Sequence, residues 1–186
     1  MANASFDTTC DVPDGLIGLF ESSAVSLSVA DYTREDCPLV GVNQHFLDMC
    51  GYEAEDVLGK NCRFLQPVGG PGPVRHRMRR FILGDAKGSE KFVVPNFTKN
   101  GDPFLNLIYL AKLQNAGRTR LILGSQFPVG KGRAPTDLFD RALAEDLRYL
   151  NILTSESNWA VLGTFDALAS SHSLIAQAQL DGEIGF

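Results

Sequence analysis

The sequence predicts an α+β domain, a five-stranded antiparallel sheet with short helices, followed by a helical extension. Three observations carry that expectation. The apolar runs 91–97, 103–113 and 119–127 are separated only by turn signals, so they pair as neighbours in one sheet. Two shorter runs, 24–30 and 38–42, precede them, with helix-spaced apolar residues between the two groups. From Asp137 to Leu180 proline disappears, glycine becomes rare and apolar residues recur at three-and-four spacing.

Element by element, Ala24 to Ala30 alternates apolar and small polar residues as a strand does, and Pro38 to Val42 follows after a turn at Thr33 to Asp36. Asn43 is placed to cap a helix through Gln44 to Cys50, and Gly51 to end it. Ala54 to Leu58 is one helical turn stopped by Gly59. Val74, Met78, Phe81 and Ile82 share the face of a helix over 74–83, with Gly84 as its stop. The turns Lys99-Asn100-Gly101-Asp102 and Asn115-Ala116-Gly117 join the last three strands. Two helical stripes are expected in the extension, Leu138 to Leu150 and Leu162 to Leu180. The glycine- and proline-rich segment 128–136 reads as a linker and residues 1–21 as an N-terminal cap segment, leaving 22–127 as the main domain.

Composition sets the limits on function. Hydrophobic residues make up 44% and charged residues 21% of the 186, values of a globular chain with a substantial core. No run of about 18 apolar residues exists, and the N-terminus lacks an apolar signal region, so a cytoplasmic location is expected. The net charge of −5 lacks the basic excess that nucleic acid requires. The basic run Arg75, His76, Arg77, Arg79 and Arg80 spreads around a helix and reads as a solvated face with one arginine turned inward. Cys10, Cys37, Cys50 and Cys62 have no metal-ligand spacing, and with three scattered histidines no metal site is expected.

The stretch Asn61-Cys62-Arg63-Phe64-Leu65-Gln66 carries the chemistry. A soft nucleophile lies beside two amides and a guanidinium, and Arg63 is a neighbour able to ease ionisation of the Cys62 thiol. Spacing alone favours a plainer reading, a small buried thiol next to a surface charge.

With Gly59 and Lys60 before it, the octet Gly-Lys-Asn-Cys-Arg-Phe-Leu-Gln closely resembles the signature of the LOV (light-oxygen-voltage) family, flavin-binding blue-light sensors of the PAS fold. Asn43, Phe46, Gly51-Tyr52, Arg79, Asn96, Asn106 and Gly124-Ser125-Gln126 extend the resemblance over residues 27–127. Two positions depart from it: Leu105 stands where the family has tryptophan, and Pro67 to Pro73 replaces a polar helix start.

The resemblance implies a cofactor and a role for each residue. FMN is expected, with FAD or riboflavin as variants. Arg63 and Arg79 would grip its phosphate, a task suited to a planar charged fork. Asn61 and Gln66 would bond the ribityl hydroxyls, Asn96 and Asn106 the pyrimidine edge, and Gln126 would face N5 and O4 of the ring. Cys62 would lie near C4a and form a reversible adduct with it on illumination.

The extension carries more acids than bases and is too short for a kinase or cyclase domain, so an interaction module rather than an enzyme is expected. A light-dependent homodimer, built by the stripes with the exposed sheet face or with Gly15 to Phe20, is the expected output, and a downstream protein partner is compatible with it. Other classes of reading are a flavin-based redox sensor with an incidental Cys62, and a PAS-type interaction scaffold with an empty pocket.

Overall fold

The computed structural model describes residues 3–84 and 89–129, together with the backbone of a strand at 159–162. The elements in chain order are β1 (Ala4–Phe6), α1 (Asp14–Ser22), β2 (Ser26–Asp31), β3 (Leu39–Asn43), α2 (Gln44–Cys50), α3 (Ala54–Val57), a 3-10 turn (Cys62–Leu65), α4 (Val74–Leu83), β4 (Ser89–Phe97), β5 (Pro103–Asn115), β6 (Arg118–Val129) and β7 (Trp159–Leu162). One antiparallel sheet runs in the order β1-β3-β2-β6-β5-β4, and β7 pairs with β5 beyond the start of β4.

The five expected strands are present and adjacent as expected, but the sheet has seven strands among the described residues. β1 escaped the sequence reading because three residues hold too little alternation to register. β7 corrects the helical reading of the extension at Trp159 to Leu162, where residues 112–115 of β5 pair with it. An aromatic and a β-branched residue in a four-residue apolar run suit a strand, and Gly163 follows at once. The rest of both expected helical stripes lies outside the described residues. The linker also begins later than read, since Pro128 and Val129 are the last two residues of β6.

The sheet sorts its side chains into two faces. On one, Leu27, Val29, Leu107, Tyr109, Leu121, Leu123 and Phe127 pack with Leu16, Leu19 and Phe20 of α1. Those three α1 residues are at most 1% exposed, so the face of Gly15–Phe20 expected to serve a dimer is spent on the chain's own core. Each such fully buried side chain contributes roughly 1.5–3 kcal/mol.

The helices from α2 to α4 lie in the connection that carries the chain from β3 on one side of the sheet to β4 at its edge, and they cover the other face. Two clusters form there. Phe81 of α4 packs with Phe92, Val94, Ile108, Leu110 and Ile122. Phe46, Leu47 and Cys50 of α2 pack with Leu39, Val42, Val57 and Leu65. Asn43 caps α2 as expected, Oδ1 accepting from Phe46 N at 3.0 Å, and the same oxygen accepts from Leu27 N at 2.9 Å, tying β2 to the helix start. Gly51 ends α2 with φ at 74°, a left-handed conformation that costs glycine nothing.

Candidate flavin site

The site forms on the helix-covered face, and strand register builds half of it. Alternation puts Asn96 of β4, Asn106 of β5, Gln126 of β6 and Ser28 of β2 on one side of the sheet, in a row that crosses four strands. Asn106 Nδ2 donates to Asn96 Oδ1 at 2.9 Å and to Gln126 Oε1 at 2.8 Å. Gln126 Nε2 continues the row to Ser28 Oγ at 2.8 Å, and Asn96 Nδ2 donates to Pro95 O at 3.0 Å. All four side chains are buried. Three amides in the middle of a sheet would be an expensive choice for packing alone. Ser28 is the member that sequence reading missed, and its signal was slight, a small polar residue inside an apolar strand.

One acceptor in the row remains open. Asn106 Oδ1 is fully buried and has no hydrogen-bond partner among the described residues. Such an atom costs about 1–3 kcal/mol unless something donates to it. The pyrimidine edge of a flavin offers an N–H flanked by carbonyls, the complement of an open amide oxygen beside a second amide. The residues present therefore fit the cofactor that the sequence implied.

The other half of the site is the segment before and through the 3-10 turn. Asn61 caps the turn, its Oδ1 accepting from Arg63 N at 3.0 Å. Its Nδ2 donates to the carbonyl oxygens of Asp36 and Cys37, which ties the turn to the β2–β3 connection. Asn61 thus spends both donor hydrogens on the fold and one acceptor lone pair on the cap. Gln66 closes the turn, its N–H donating to Arg63 O at 2.9 Å.

Cys62 packs against the α2 cluster, which includes Val42 and Ala30. Val42 lies directly opposite Ser28 in the β2–β3 pairing, and Ala30 follows Ser28 by two residues on the same face. The thiol-bearing turn and the amide row accordingly border the same face of the sheet.

Electrostatics correct one expectation. Burial pushes the Cys62 thiol up to about 12, with Cys50 and Cys37 raising it further. Arg63 does not ease its ionisation, because its guanidinium turns away to Asp36. Cys62 is held as a neutral S–H. Burial likewise pushes Cys37 up to about 11 and raises Cys50, which is fully buried in the core.

Arg63 on the turn and Arg79 on α4 are both exposed. The basic face of α4 is solvated, with Arg77 paired to Glu90 at 2.9 Å. The expected inward arginine is corrected: Arg75, Arg77, Arg79 and Arg80 are all exposed, because the helix buries Phe81 against the sheet and turns its basic residues to solvent. An open cleft of about 720 Å³ lies apart from all these residues, lined among others by Cys10, Asp31, Arg34, Arg118 and Arg120. Among the described residues there is no cluster of metal-ligating side chains, and no helix long and apolar enough to cross a membrane.

Residues 26–127 match the PAS domain family. A LOV domain from a blue-light activated histidine kinase of Erythrobacter litoralis superposes with a TM-score of 0.52 at 30% identity, covering 58% of this chain and 98% of that domain. The chain belongs to the PAS family, in its LOV branch. The Rhodobacter sphaeroides LOV protein is similar over more of its length, with a TM-score of 0.65 at 26% identity over 89% of this chain and 90% of that one. Among curated relatives, a blue-light-activated histidine kinase of Rhizobium johnstonii is 32% identical over 177 residues, 84% of this chain and 50% of the kinase. Phototropin-2 of rice, Oryza sativa, is 32% identical over 135 residues, 70% of this chain and 14% of the phototropin. The chain spans between 30% and 50% of the length of the first three curated relatives. The PAS match covers the amide row and the Cys62 turn alike, since both lie inside residues 26–127.

Proposed function

We propose that this LOV protein is a blue-light photoreceptor that binds FMN and bonds Cys62 reversibly to flavin C4a on illumination. The observation that supports it most is the open Asn106 oxygen at the centre of a buried amide row, beside a turn that presents a neutral thiol. When bound, the flavin supplies a blue-absorbing ring with an electrophilic carbon and a nitrogen that gains a proton. Every other part of the reading concerns the chain. Asn96 and Asn106 orient the ring edge, Gln126 reads the ring nitrogen, and Arg63 and Arg79 hold the phosphate. Cys62 provides both sulfur and proton, which a thiol held neutral is able to do and a thiolate is not.

The output runs through Gln126. Its amide has a donor end and an acceptor end, so it rotates when the group facing it changes from acceptor to donor. An unpaired buried group costs about 1–3 kcal/mol, the size of a typical coupling between sites. Gln126 lies three residues before the end of β6, so the rotation bears directly on the chain beyond residue 129. We assign the signal to binding rather than catalysis, as a light-dependent change in a homodimer or in contact with a downstream protein. The location of that exchange is read as the cytoplasm, with no membrane or nucleic-acid partner.

Illumination of the purified protein tests the reading. A yellow protein that bleaches under blue light and recovers in the dark, with both changes lost in Cys62→Ala, supports it. A flavin spectrum that responds to reductant and ignores light would favour the redox sensor, and a colourless protein unable to take up flavin would favour the scaffold.

A further inference from the structure

The carboxylate of Asp36 already holds the guanidinium of Arg63, one of the two arginines assigned to the cofactor phosphate. Asp36 and Cys37 form a left-handed pair in the β2–β3 connection, with φ of 64° and 48°. Two successive non-glycine residues in that region are uncommon and need outside support. They receive it from Asn61, whose Nδ2 donates to both of their carbonyls, and from Cys37 N, which donates to Arg34 O at 3.1 Å. The neighbouring backbone is stitched as well, with Leu39 N donating to Lys60 O and Gly59 N to Leu39 O, each at 2.9 Å. Asp36 is therefore fixed beside the Cys62 turn by backbone bonds that do not depend on the ion pair.

The ion pair itself is weak. Its side chains are 61% and 55% exposed, and a single terminal nitrogen of Arg63 makes the contact, so the guanidinium plane is not locked. A phosphate dianion brings more charge and more acceptor oxygens than one carboxylate, so it can displace Asp36 from that fork. When it does, Asp36 stays in place as an uncompensated negative charge next to the newcomer.

We infer that Asp36 is a built-in competitor for the cofactor phosphate at Arg63, a specificity-setting residue that lowers the preference for phosphorylated over unphosphorylated flavin. The inference rests on the flavin reading above. It requires that removing the charge tighten FMN and leave riboflavin, which brings no phosphate, unaffected.

Asp36→Asn makes the test. Asparagine tolerates the left-handed region well, so the turn and its Asn61 bonds are kept. The flavin-stripped 186-residue chain is titrated with FMN and separately with riboflavin, with flavin fluorescence as the readout, at low and high salt. Asp36→Asn is expected to tighten FMN about three- to fivefold at low salt, the scale of an exposed charge pair. It should shift riboflavin by less than about twofold, and the FMN gain should shrink at high salt. In an Arg63→Gln background most of the gain should disappear. Weaker FMN binding would show that Asp36 orients Arg63 for the phosphate, and an equal change for both flavins would show that it acts on the fold. Either result, or no change at all, overturns the inference while leaving the flavin reading intact. Failure of the unmodified chain to bind either flavin overturns both.

Discussion

Gln126 Oε1 accepts the side-chain amide of Asn106 at 2.8 Å, while its own Nε2 donates to Ser28 Oγ at 2.8 Å. Those two bonds fix which end of Gln126 is which, because the reverse orientation would set two NH₂ groups against each other. Rotation of Gln126 therefore strands an Asn106 donor, because the Gln126 oxygen it donates to is carried away. The two amides act as a coupled pair. Gln126→Leu removes the acceptor for Asn106 and the donor to Ser28, and is expected to cost about 1–3 kcal/mol in denaturant unfolding. It should keep the Cys62-dependent bleaching and lose any light-dependent change in mass. A variant that retained the mass change would remove Gln126 from the signalling route.

Gly124 offers a second way to disturb the row without touching an amide. A methyl group there would sit 2.9 Å from Ser28 Oγ, inside the range where something has to move. Gly124→Ala is expected to push Ser28 away from Gln126 Nε2 and destabilise the domain by about 1–3 kcal/mol, a typical overpacking cost. Gly18, in the middle of α1, is the contrasting case, with nothing within 4 Å of the added methyl. Gly18→Ala should stabilise by roughly 0.5–1 kcal/mol through helix entropy alone. Thermal unfolding of the two variants checks both signs, and a stabilised Gly124→Ala would show that Ser28 has room to spare.

The desolvated Cys62 thiol sets a pH dependence. With Cys62 raised from 9.0 to about 12, the folded chain holds the proton at pH values where the unfolded chain releases it. A raised acid of this kind contributes stability that is fully present below pH 9 and is lost as pH climbs toward 12. Cys62→Ala should accordingly flatten part of the alkaline fall in stability, measured by urea midpoints along a pH series. Photobleaching, which starts from the neutral S–H, should keep the same yield across neutral pH. A yield that rose as pH approached 9 would point to a thiolate and contradict this environment.

The parts of the molecule that were legible in the sequence are those where one residue suffices to specify local geometry. Asn43 and Gly51 bracket α2 because capping oxygen and left-handed glycine act within a few residues, and the helix at 74–83 survives the Pro67–Pro73 departure because its own apolar spacing defines it. Asn96, Asn106 and Gln126 were legible through the family resemblance, but which of them bond one another depended on register, which no single strand encodes. Asp36 and Ser28 were illegible for the same reason. Asp36 looks like an ordinary turn residue until Asn61 and Arg63, 25 and 27 positions later, fold against it. Arg63 misled in the opposite direction, since adjacency to Cys62 in sequence said nothing of where its side chain points.

The outer face of β4 and β5 carries an apolar patch. Val93, Phe97 and Leu105 are exposed large apolar residues there, and the register brings Pro95 beside Leu105 and Phe97 beside Pro103. They point away from Asn96 and Asn106 and continue the face on which α1 packs, in a part that its three buried anchors leave uncovered. Leu105, at the position where the LOV family has tryptophan, also lies opposite Val129 at the end of β6, so the patch adjoins the strand that carries Gln126. In the dimer proposed above, a second copy of the chain would occupy this patch, with an affinity that depends on the flavin state. A coupling of about 1–3 kcal/mol changes a dimer equilibrium roughly five- to 150-fold, in either direction. Light-scattering mass across a dilution series, in the dark and under blue light, should show two dissociation curves displaced by a factor in that range. Leu105→Glu and Phe97→Glu should weaken both curves while leaving Cys62-dependent bleaching intact, because neither side chain faces the site. A monomer at every concentration in both states would eliminate the dimer, and a light-dependent dimer indifferent to both substitutions would move the interface off this face.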